Sequence, residues 1–328
     1  MKEADIRPWE LFERYLELSA ADAVTYFSSS KRKDLPCPAC GNNFVQSAFE
    51  KFGFDHQLCL TCGTVYQSPR PPWEDFARFY KESPSAQYWA RVFFPAVAES
   101  RRLNLFRPKV QELARLCQNN HFSPKVFADI GAGYGLLLEE WRRSFPETRL
   151  VAVEPNPDLA AQCRSKNLTV VELFAEEADL LQDQIDLVTA FEVIEHLYDP
   201  LVFLNSLAKL LRPEGRILIT GPTIDGFDLQ VLWEHSNSIS PPHHINLISI
   251  RGFEILLTRA GFSDIQISTP GKLDVDIVKN ALGHNKAILS GQRFLQTLLT
   301  RDDETLGAFQ KFLSDHALSS HCWVWASK

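Results

Sequence analysis

The 328-residue sequence lacks a long apolar run, since no segment approaches the roughly 20 consecutive apolar residues that a membrane-spanning helix needs. Its first residues, Met1–Asp5, are mostly charged and contain no apolar core of a secretory signal. Internal repeats and low-complexity tracts are also absent. We therefore expect a folded cytoplasmic protein with no membrane span.

An excess of positive charge is missing as well. The chain carries 41 acidic and 34 basic side chains, which gives a formal net charge of −7. Because a broad nucleic-acid surface needs clustered basic residues, this charge balance disfavours nucleic acid as a partner, although it does not exclude a local basic patch. Hydrophobic residues make up 45% of the chain and aromatic residues 11%, as in a folded protein, and the length allows about two domains.

Cysteine is scarce, yet four of the seven cysteines form two Cys-x-x-Cys pairs. Eighteen residues separate Cys37–Cys40 from Cys59–Cys62, and a glycine follows each pair directly. In a reducing compartment this spacing favours zinc over disulfides. Four thiolates complete a tetrahedral site, so the metal would be structural and would supply folding energy. We predict a zinc ribbon over residues 35–70, with the ligands Cys37, Cys40, Cys59 and Cys62.

Helical segments flank this ribbon. Residues 1–34 contain a predicted helix over 8–27 followed by a polar connector. Residues 71–120 form a helical linker, with helices predicted at 73–81 and 87–117. Two prolines within the second of these helices predict bends.

From residue 121 to the end, strand and helix patterns alternate, which is typical of a parallel α/β sheet. Seven strands are predicted, at 126–130, 150–153, 169–173, 185–191, 216–220, 264–268 and 320–326. An antiparallel pair of strands six and seven would make residues 271–320 an insertion at the ligand-binding edge, serving as a lid or substrate wall, or packing elsewhere as an appendage. The predicted fold is a doubly wound, seven-stranded Rossmann-like α/β sheet with an N-terminal zinc ribbon and helical additions.

Alternating glycines follow the first of these strands. They occupy positions 131, 133 and 135 and lead into an amphipathic helix, so a ligand can approach the backbone above the helix N-terminus. Glu154 ends strand two, and in a doubly wound sheet this places its carboxylate beside the loop, where it can accept both hydroxyls of a ribose. A plain tight turn and a surface glutamate are the alternatives.

Four motifs in succession resemble those of class I S-adenosylmethionine-dependent methyltransferases, namely Asp129–Gly135, Val153–Pro155, Phe191–His196 and Leu211–Arg216. They stand in the family's order, and the resemblance covers residues 121–270. The segments Glu192–His196 and Pro242–Asn246 resemble the subgroup that methylates small metabolites, including quinones and sugars. Members with a zinc ribbon are similar to methyltransferases of sugar and surface-polysaccharide pathways.

The resemblance implies S-adenosylmethionine as cofactor and assigns residues to it. The implied contacts are Asp129 behind the loop, Gly131, Ala132 and Gly133 along the methionyl part, Glu154 and Pro155 at the ribose, Ala175 and Glu176 beside the adenine, and Phe191 and Glu192 at the methionyl end.

Two histidines are candidates for a catalytic base. A sulfonium carries its own leaving group, so alignment of the acceptor is the main task, and a base helps when the acceptor is a hydroxyl or an acidic carbon. His243 and His244 follow strand five in a loop expected at the ligand-binding edge, and histidine titrates near neutrality. Related C-methyltransferases of nucleotide sugars carry a Glu-His pair here, whereas this chain has His243 in the first position. Histidines that only bond the loop backbone are the alternative.

The function we expect is methyl transfer to a small polar metabolite, namely a sugar nucleotide or glycan precursor. An NAD-dependent dehydrogenase is disfavoured because Leu136 replaces the third glycine of its fingerprint. An rRNA methyltransferase, a class in which some members also combine a zinc ribbon with this fold, is disfavoured by the acidic balance. A non-catalytic module is disfavoured by the intact cofactor motifs.

Overall fold

Two β-sheets organise the computed structural model, which describes residues 2–284 and 289–328. The strands are β1 Val45–Lys51, β2 Phe54–Cys59, β3 Val65–Gln67, β4 Val126–Ile130, β5 Arg149–Val153, β6 Thr169–Val171, β7 Ile185–Phe191, β8 Leu211–Pro222, β9 Asn246–Leu247, β10 Ser263–Ser268 and β11 His321–Ser327. The α-helices are α1 Trp9–Phe27, α2 Trp73–Glu82, α3 Pro84–Tyr88, α4 Phe94–Arg101, α5 Arg107–Asn119, α6 Leu136–Ser144, α7 Pro157–Ser165, α8 Pro200–Leu210, α9 Phe227–Leu232, α10 Ile250–Arg259, α11 Asp274–His284, α12 Arg293–Leu298 and α13 Asp303–Asp315.

The larger sheet has the strand order β10-β11-β8-β7-β4-β5-β6. Strand β11 runs antiparallel to both of its neighbours, while β4 to β8 pair in parallel. The predicted fold class is confirmed, and the last two strands form the antiparallel pair that would make residues 271–320 an insertion. The connection order reverses between β4 and β7, and a doubly wound sheet binds its ligand in the crevice at such a point.

The central strands are buried on both faces because helices cover each side of the sheet. Phe127 of β4 packs in one apolar layer with α5 and α6, and its neighbour Ala128 packs in the opposite layer with α8 and α10. Successive side chains of a strand point to opposite faces, so a strand between two helical layers is apolar throughout. This explains why a continuous apolar run predicted β4 correctly.

Several strand boundaries differ from the prediction, and strand pairing explains two of the differences. The third strand of the sheet ends at Val171 and not at residue 173, because its partner β5 ends at Val153. The fifth strand, β8, begins at Leu211 and not at residue 216, because Leu211 already pairs with Ile185 before the register shifts. In both cases the neighbouring strand, and not the local sequence, decides where pairing starts or stops.

The predicted bends in the linker helix take the form of π-helical turns. Trp89–Phe93 and Arg102–Phe106 are π-helical, and each directly precedes the α-helical segment that carries Pro95 or Pro108. A proline donates no backbone hydrogen bond to the preceding turn, so the turn before it can widen. The helical path from α3 to α5 therefore continues through both prolines.

The smaller sheet has the order β1-β2-β3-β9 and contains the ribbon. Its last strand comes from far along the chain, since Val65 pairs with Leu247 and Tyr66 with Asn246. The predicted division into residues 1–34, 35–70, 71–120 and 121–328 stays a prediction.

Helices α11 to α13 lie between β10 and β11, in the region predicted as an insertion. Residues 285–288 of that region lie outside the described residues. The N-terminal segment contacts it, since the N–H of Glu3 donates to Asp276 Oδ2 at 2.7 Å. Among the helices of residues 2–284 and 289–328, none has the length and hydropathy of a membrane span.

Candidate active site

The glycine loop lies between β4 and α6, at the carboxyl edge of the sheet. The φ angles of Gly131 and Gly133 are 68° and 55°, in the left-handed region that favours glycine. A Cβ on Gly131 would also approach Val193 Cγ2 to 3.0 Å. The loop is held in place because the N–H groups of Gly131 and Ala132 donate to the carbonyl of Val153 at 2.8 and 3.3 Å. Its shape is therefore set by the backbone.

Glu154 lies directly against this loop. Its Oε2 accepts the N–H of Gly133 at 2.8 Å, and its Oε1 accepts the N–H of Asn156 at 2.9 Å. Burial holds the pKa of Glu154 above its usual value, although the two backbone hydrogen bonds oppose this shift. Each carboxylate oxygen can accept a further hydrogen bond, so the side chain can accept hydrogen bonds from hydroxyl groups. Pro155 follows it, half-buried, at the end of β5.

Asp129 lies behind the loop on β4. It is buried, and its Oδ1 accepts the hydroxyl of Thr189 at 2.6 Å. Burial raises the pKa of Asp129 to about 7, and the nearby Glu154 adds to the rise. On the other side of Glu154, the turn after β6 carries Ala175, which is buried, and Glu176, which is exposed. The structure thus brings these predicted residues to one edge of the sheet.

Glu192, the residue after β7, contacts side chains of α5, β8 and β11. Its φ of 56° is unusual for a residue with a side chain, and its N–H donates to the carbonyl of Thr220 at 2.9 Å. Its Oε1 accepts the Thr220 hydroxyl at 2.8 Å and Lys109 Nζ at 3.2 Å, and His321 Nδ1 lies 3.5 Å away. Burial opposes ionisation, but Lys109 and His321 hold the pKa of Glu192 below its usual value. No local pattern in the sequence marks Lys109 of α5 or His321 of β11 as a partner of Glu192.

His196 and His244 face each other at a ring-centroid distance of 4.8 Å. His196 Nδ1 lies 2.9 Å from the carbonyl of His243, and His244 Nδ1 lies 2.6 Å from the carbonyl of Ser238. A carbonyl only accepts, so both rings carry a proton on Nδ1 and leave Nε2 as an acceptor. Burial lowers the pKa of His196 to about 3 and also lowers that of His244. Both rings are neutral at neutral pH.

Glu195 completes this cluster, since ligand atoms of Glu195, His196 and His244 lie within 4.8 Å of one another. The Glu195 side chain is buried, and among the described residues no group bonds its Oε2. Burial and the charge of Glu192 raise the pKa of Glu195 well above its usual value. Both effects favour the protonated carboxyl group over the carboxylate.

His243 has a different environment from His244. Its Nε2 lies 3.1 Å from the hydroxyl of Ser85, and its ring packs against Phe79 and Tyr15 at centroid distances of 4.7 and 5.5 Å. It is only 6% exposed. Helices α1 and α2 and the Ser85 hydroxyl of α3 thus enclose this side chain.

Arg70 is a further residue of the site that the sequence did not predict. It is buried, and its guanidinium donates to the carbonyl of Tyr198 at 2.7 Å and to Asn246 Oδ1 at 2.8 Å. It thereby joins the end of the ribbon to the segment after β7 and to residues 236–249, which we name the histidine loop. The only sequence signal is one arginine within a run of prolines, Pro69 to Pro72.

The four ribbon cysteines meet at one point. The Sγ atoms of Cys37 and Cys62 lie 3.6 Å apart, those of Cys40 and Cys59 lie 3.4 Å apart, and all four lie within 4.8 Å of one another. None forms a disulfide. Zn–S bonds of about 2.3 Å in a tetrahedron place sulfurs about 3.8 Å apart. The donor set therefore fits a zinc ion.

Both cysteine knuckles have the same backbone geometry. Gly41 and Gly63 have φ angles of 75° and 85°, and their N–H groups donate to the carbonyls of Cys37 and Cys59, each at 2.8 Å. The second knuckle is also anchored to the histidine loop, since the hydroxyl of Ser249 donates to the carbonyl of Cys62 at 2.5 Å.

The described residues also line cavities, and two of them differ in their relation to the glycine loop. One of about 380 Å³ is lined by Arg91, Tyr134 and Asp158 beside the glycine loop. The other, of about 770 Å³, is lined by Asp186 and Arg212 at the amino ends of β7 and β8. Because doubly wound sheets bind ligands at the carboxyl ends of their strands, the larger cavity lies at the wrong edge for the cofactor.

Comparison with known proteins gives a consistent result. Residues 99–267 match the model of a family described as methyltransferase domain. The chain is 32% identical over 181 residues to the ubiquinone biosynthesis O-methyltransferase of Caulobacter vibrioides, covering 48% of this chain and 67% of that protein. It is 28% identical over 128 residues to the malonyl-[acyl-carrier protein] O-methyltransferase of Hahella chejuensis, covering 38% of this chain but only 45% of that relative's length.

A solved structure shows the same fold. The plantazolicin methyltransferase BpumL, crystallised with a pentazolic desmethylPZN analogue and SAH, superposes with a TM-score of 0.51 at 16% identity. The superposition covers 77% of this chain and 94% of that one.

Proposed function

Because the chain belongs to the methyltransferase domain family, we propose that it transfers a methyl group from S-adenosylmethionine to a small polar metabolite, namely a sugar nucleotide or glycan precursor. The methyl donor follows from the family, and the acceptor class is the proposal. One observation supports a small-molecule acceptor: strand β9 of the histidine loop is part of the ribbon's sheet. The ribbon thus forms part of the wall beside the candidate base.

Further contacts support a closed, small-molecule site. Lys51 of the ribbon donates from Nζ to the carbonyl of Ser236 at 2.7 Å, at the start of the histidine loop. Strand β9 also covers the edge of β3 that a free ribbon would expose. A ribbon engaged in this way has less surface for RNA. The net charge of the whole chain, −7, also does not attract the negatively charged RNA backbone.

For the cofactor we propose contacts from Asp129, Gly131, Ala132, Gly133, Glu154, Pro155, Ala175, Glu176, Phe191 and Glu192. Glu154 accepts the ribose hydroxyls, because its oxygens face the glycine loop and keep free acceptor capacity. When bound, the cofactor supplies an electrophilic methyl group on a sulfonium. The role of the chain is to align the acceptor with that methyl group and to exclude water.

We propose His244 as the base and His243 as a residue that positions it. The Nε2 of His244 is an unprotonated acceptor because Ser238 fixes the proton on Nδ1. During methyl transfer from a bound cofactor, His244 Nε2 would take up the proton that the attacking oxygen or carbon of the acceptor releases. His243 already uses its Nε2 to contact Ser85.

We also propose a structural zinc ion bound by Cys37, Cys40, Cys59 and Cys62. The metal has no open position in a four-thiolate site, so it takes no part in the reaction. It stabilises the ribbon and, through the pairing of β3 with β9, the histidine loop.

The test is methyl transfer from radiolabelled S-adenosylmethionine to a panel of nucleotide sugars, glycan precursors, quinone precursors and RNA. We expect label in a nucleotide sugar or glycan precursor. Label in RNA alone would favour the RNA methyltransferase alternative, and label in a quinone precursor alone would replace the sugar proposal. Calorimetric binding of S-adenosylhomocysteine, measured in parallel, tests the cofactor site without an acceptor.

A further inference from the structure

The guanidinium of Arg101, at the end of α4, lies among aromatic side chains near the glycine loop. Its Cζ is 5.7 Å from the ring centroid of Trp89 and 5.3 Å from that of Phe94. Phe94 stacks on Tyr134 of the glycine loop at 4.3 Å. One aromatic ring therefore separates this cation from the loop that we assign to the cofactor.

This guanidinium has no anionic partner in the part of the chain that the structure describes. The Nε and Nη1 atoms of Arg101 are buried and make no hydrogen bond. The next residue, Arg102, is paired in the usual way. Its guanidinium forms ion pairs with Glu99, Glu139 and Glu140 at 3.1, 3.0 and 3.5 Å. Buried guanidinium atoms without a hydrogen-bond acceptor destabilise a fold, so two such atoms on one side chain point to a ligand.

The charges around Arg101 do not neutralise it. Burial lowers the pKa of Arg101 to about 10, and the positive charge of Arg7 lowers it further, against an opposing effect of Glu192. Glu192 already accepts hydrogen bonds from Lys109 and Thr220. Arg7 in turn forms an ion pair with Glu3 at 3.8 Å. No carboxylate of the described residues therefore pairs directly with Arg101.

We propose that Arg101, assisted by Arg7, binds an anionic group of the methyl acceptor, a carboxylate or a phosphate. A guanidinium presents a planar fork of donors that matches both of these anions. The aromatic rings exclude water around the fork and so strengthen its attraction for an anion. This inference rests on the proposed function, because it places the acceptor in the same site, and it narrows the acceptors to anionic molecules such as nucleotide sugars.

The experiment titrates simple anions into the protein saturated with S-adenosylhomocysteine, by calorimetry at constant ionic strength. The probes are inorganic phosphate, pyrophosphate and acetate, and the relative affinities distinguish a phosphate from a carboxylate site. We expect binding of at least one anion, weakened at least tenfold in Arg101→Gln and partly recovered in Arg101→Lys. Equal affinity in wild type and Arg101→Gln, or no binding of any probe, would overturn the proposal.

Thermal unfolding separates this role from a structural one. Arg101→Gln should melt close to the wild-type temperature, because the loss of two aromatic contacts is offset by the removal of a guanidinium that has no anionic partner. The matched variant Arg102→Gln should melt lower, because it loses three ion pairs, and should keep the anion affinity. A large fall in the melting temperature of Arg101→Gln would assign the guanidinium a structural role and overturn the proposal. If the wild-type protein does not bind S-adenosylhomocysteine, the proposed function is contradicted instead. The anion titration would then be repeated in the absence of S-adenosylhomocysteine.

Discussion

Arg70 donates a hydrogen bond of 2.8 Å to the side-chain oxygen of Asn246, two residues beyond His244. The amide nitrogen of Asn246 in turn donates to the carbonyl of Leu197 at 2.7 Å. A single run of buried polar contacts therefore joins the ribbon, the histidine loop and the segment that carries Glu195 and His196. The position of the candidate base depends on all three.

Replacing Arg70 tests this dependence. Arg70→Met leaves several buried acceptors without a donor, so we expect a loss of about 3 kcal/mol in the free energy of unfolding. We also expect kcat to fall at least tenfold while S-adenosylhomocysteine affinity changes less than twofold. Urea denaturation, kinetics and calorimetry give the three quantities. The exposed Arg14→Met is the control and should lie within about 0.5 kcal/mol of wild type. A variant with unchanged kcat would show that the histidine loop holds its position without Arg70.

Glu154 is predicted to determine cofactor affinity. A hydrogen bond to a charged group contributes about 1.5–3 kcal/mol, so Glu154→Ala should weaken S-adenosylhomocysteine binding at least tenfold. Calorimetry measures the change, and the exposed Glu147→Ala serves as the control. Wild-type affinity in Glu154→Ala would place the ribose elsewhere.

The pH dependence of turnover tests His244 as the base. A base acts in its unprotonated form, and burial lowers the pKa of His244, so activity should persist below its usual titration range. We expect the acidic limb of the kcat/KM profile to lie below about pH 6.5, the ordinary value for histidine. His244→Gln should lower kcat by about 100-fold or more without weakening cofactor binding. The exposed His316→Gln should match wild type, and full turnover in His244→Gln would remove this residue from the mechanism.

The burial of Asp228 in α9 should make the free energy of unfolding depend on pH. It is fully buried, and burial together with the neighbouring Asp274 raises its pKa to about 7, against about 3.9 in an unfolded chain. The folded state then holds a proton that the unfolded state has lost, so stability falls as the pH rises from about 4 to 7. Asp228→Asn should raise the free energy of unfolding at pH 8 by about 2–4 kcal/mol and have little effect at pH 4.

Urea denaturation at pH 4, 6 and 8 measures this effect. The exposed Asp34→Asn is the control and should follow the wild-type pH dependence. Parallel curves for wild type and Asp228→Asn would contradict the assigned protonation of Asp228.

Metal analysis tests the ribbon. We expect one zinc ion per chain in the wild type and none in Cys37→Ser, with kcat falling in parallel because β9 loses its partner. Cys117→Ser, a change in α5 outside the cysteine cluster, should retain the metal. A wild-type protein that contains no zinc after metal-free handling and reconstitution would exclude the proposed site.

The sequence predicted the sheet well because each strand's pattern is local. Val126–Ile130 lies between two helical layers, and an apolar run of that kind reports burial on both faces. It did not predict β9, since two residues form a strand only because β3 lies alongside. Nor did it reveal the contact of Lys109 with Glu192, which are 83 positions apart. Such contacts depend on how distant elements pack, and no local pattern records them.

The sheet that β9 completes also limits how this module can be moved between proteins. Residues 35–70 grafted alone onto a relative would leave one edge of β3 bare, and an uncovered strand edge invites pairing with another chain. A soluble chimera therefore has to carry a discontinuous unit of this chain, namely residues 35–70 together with residues 236–249.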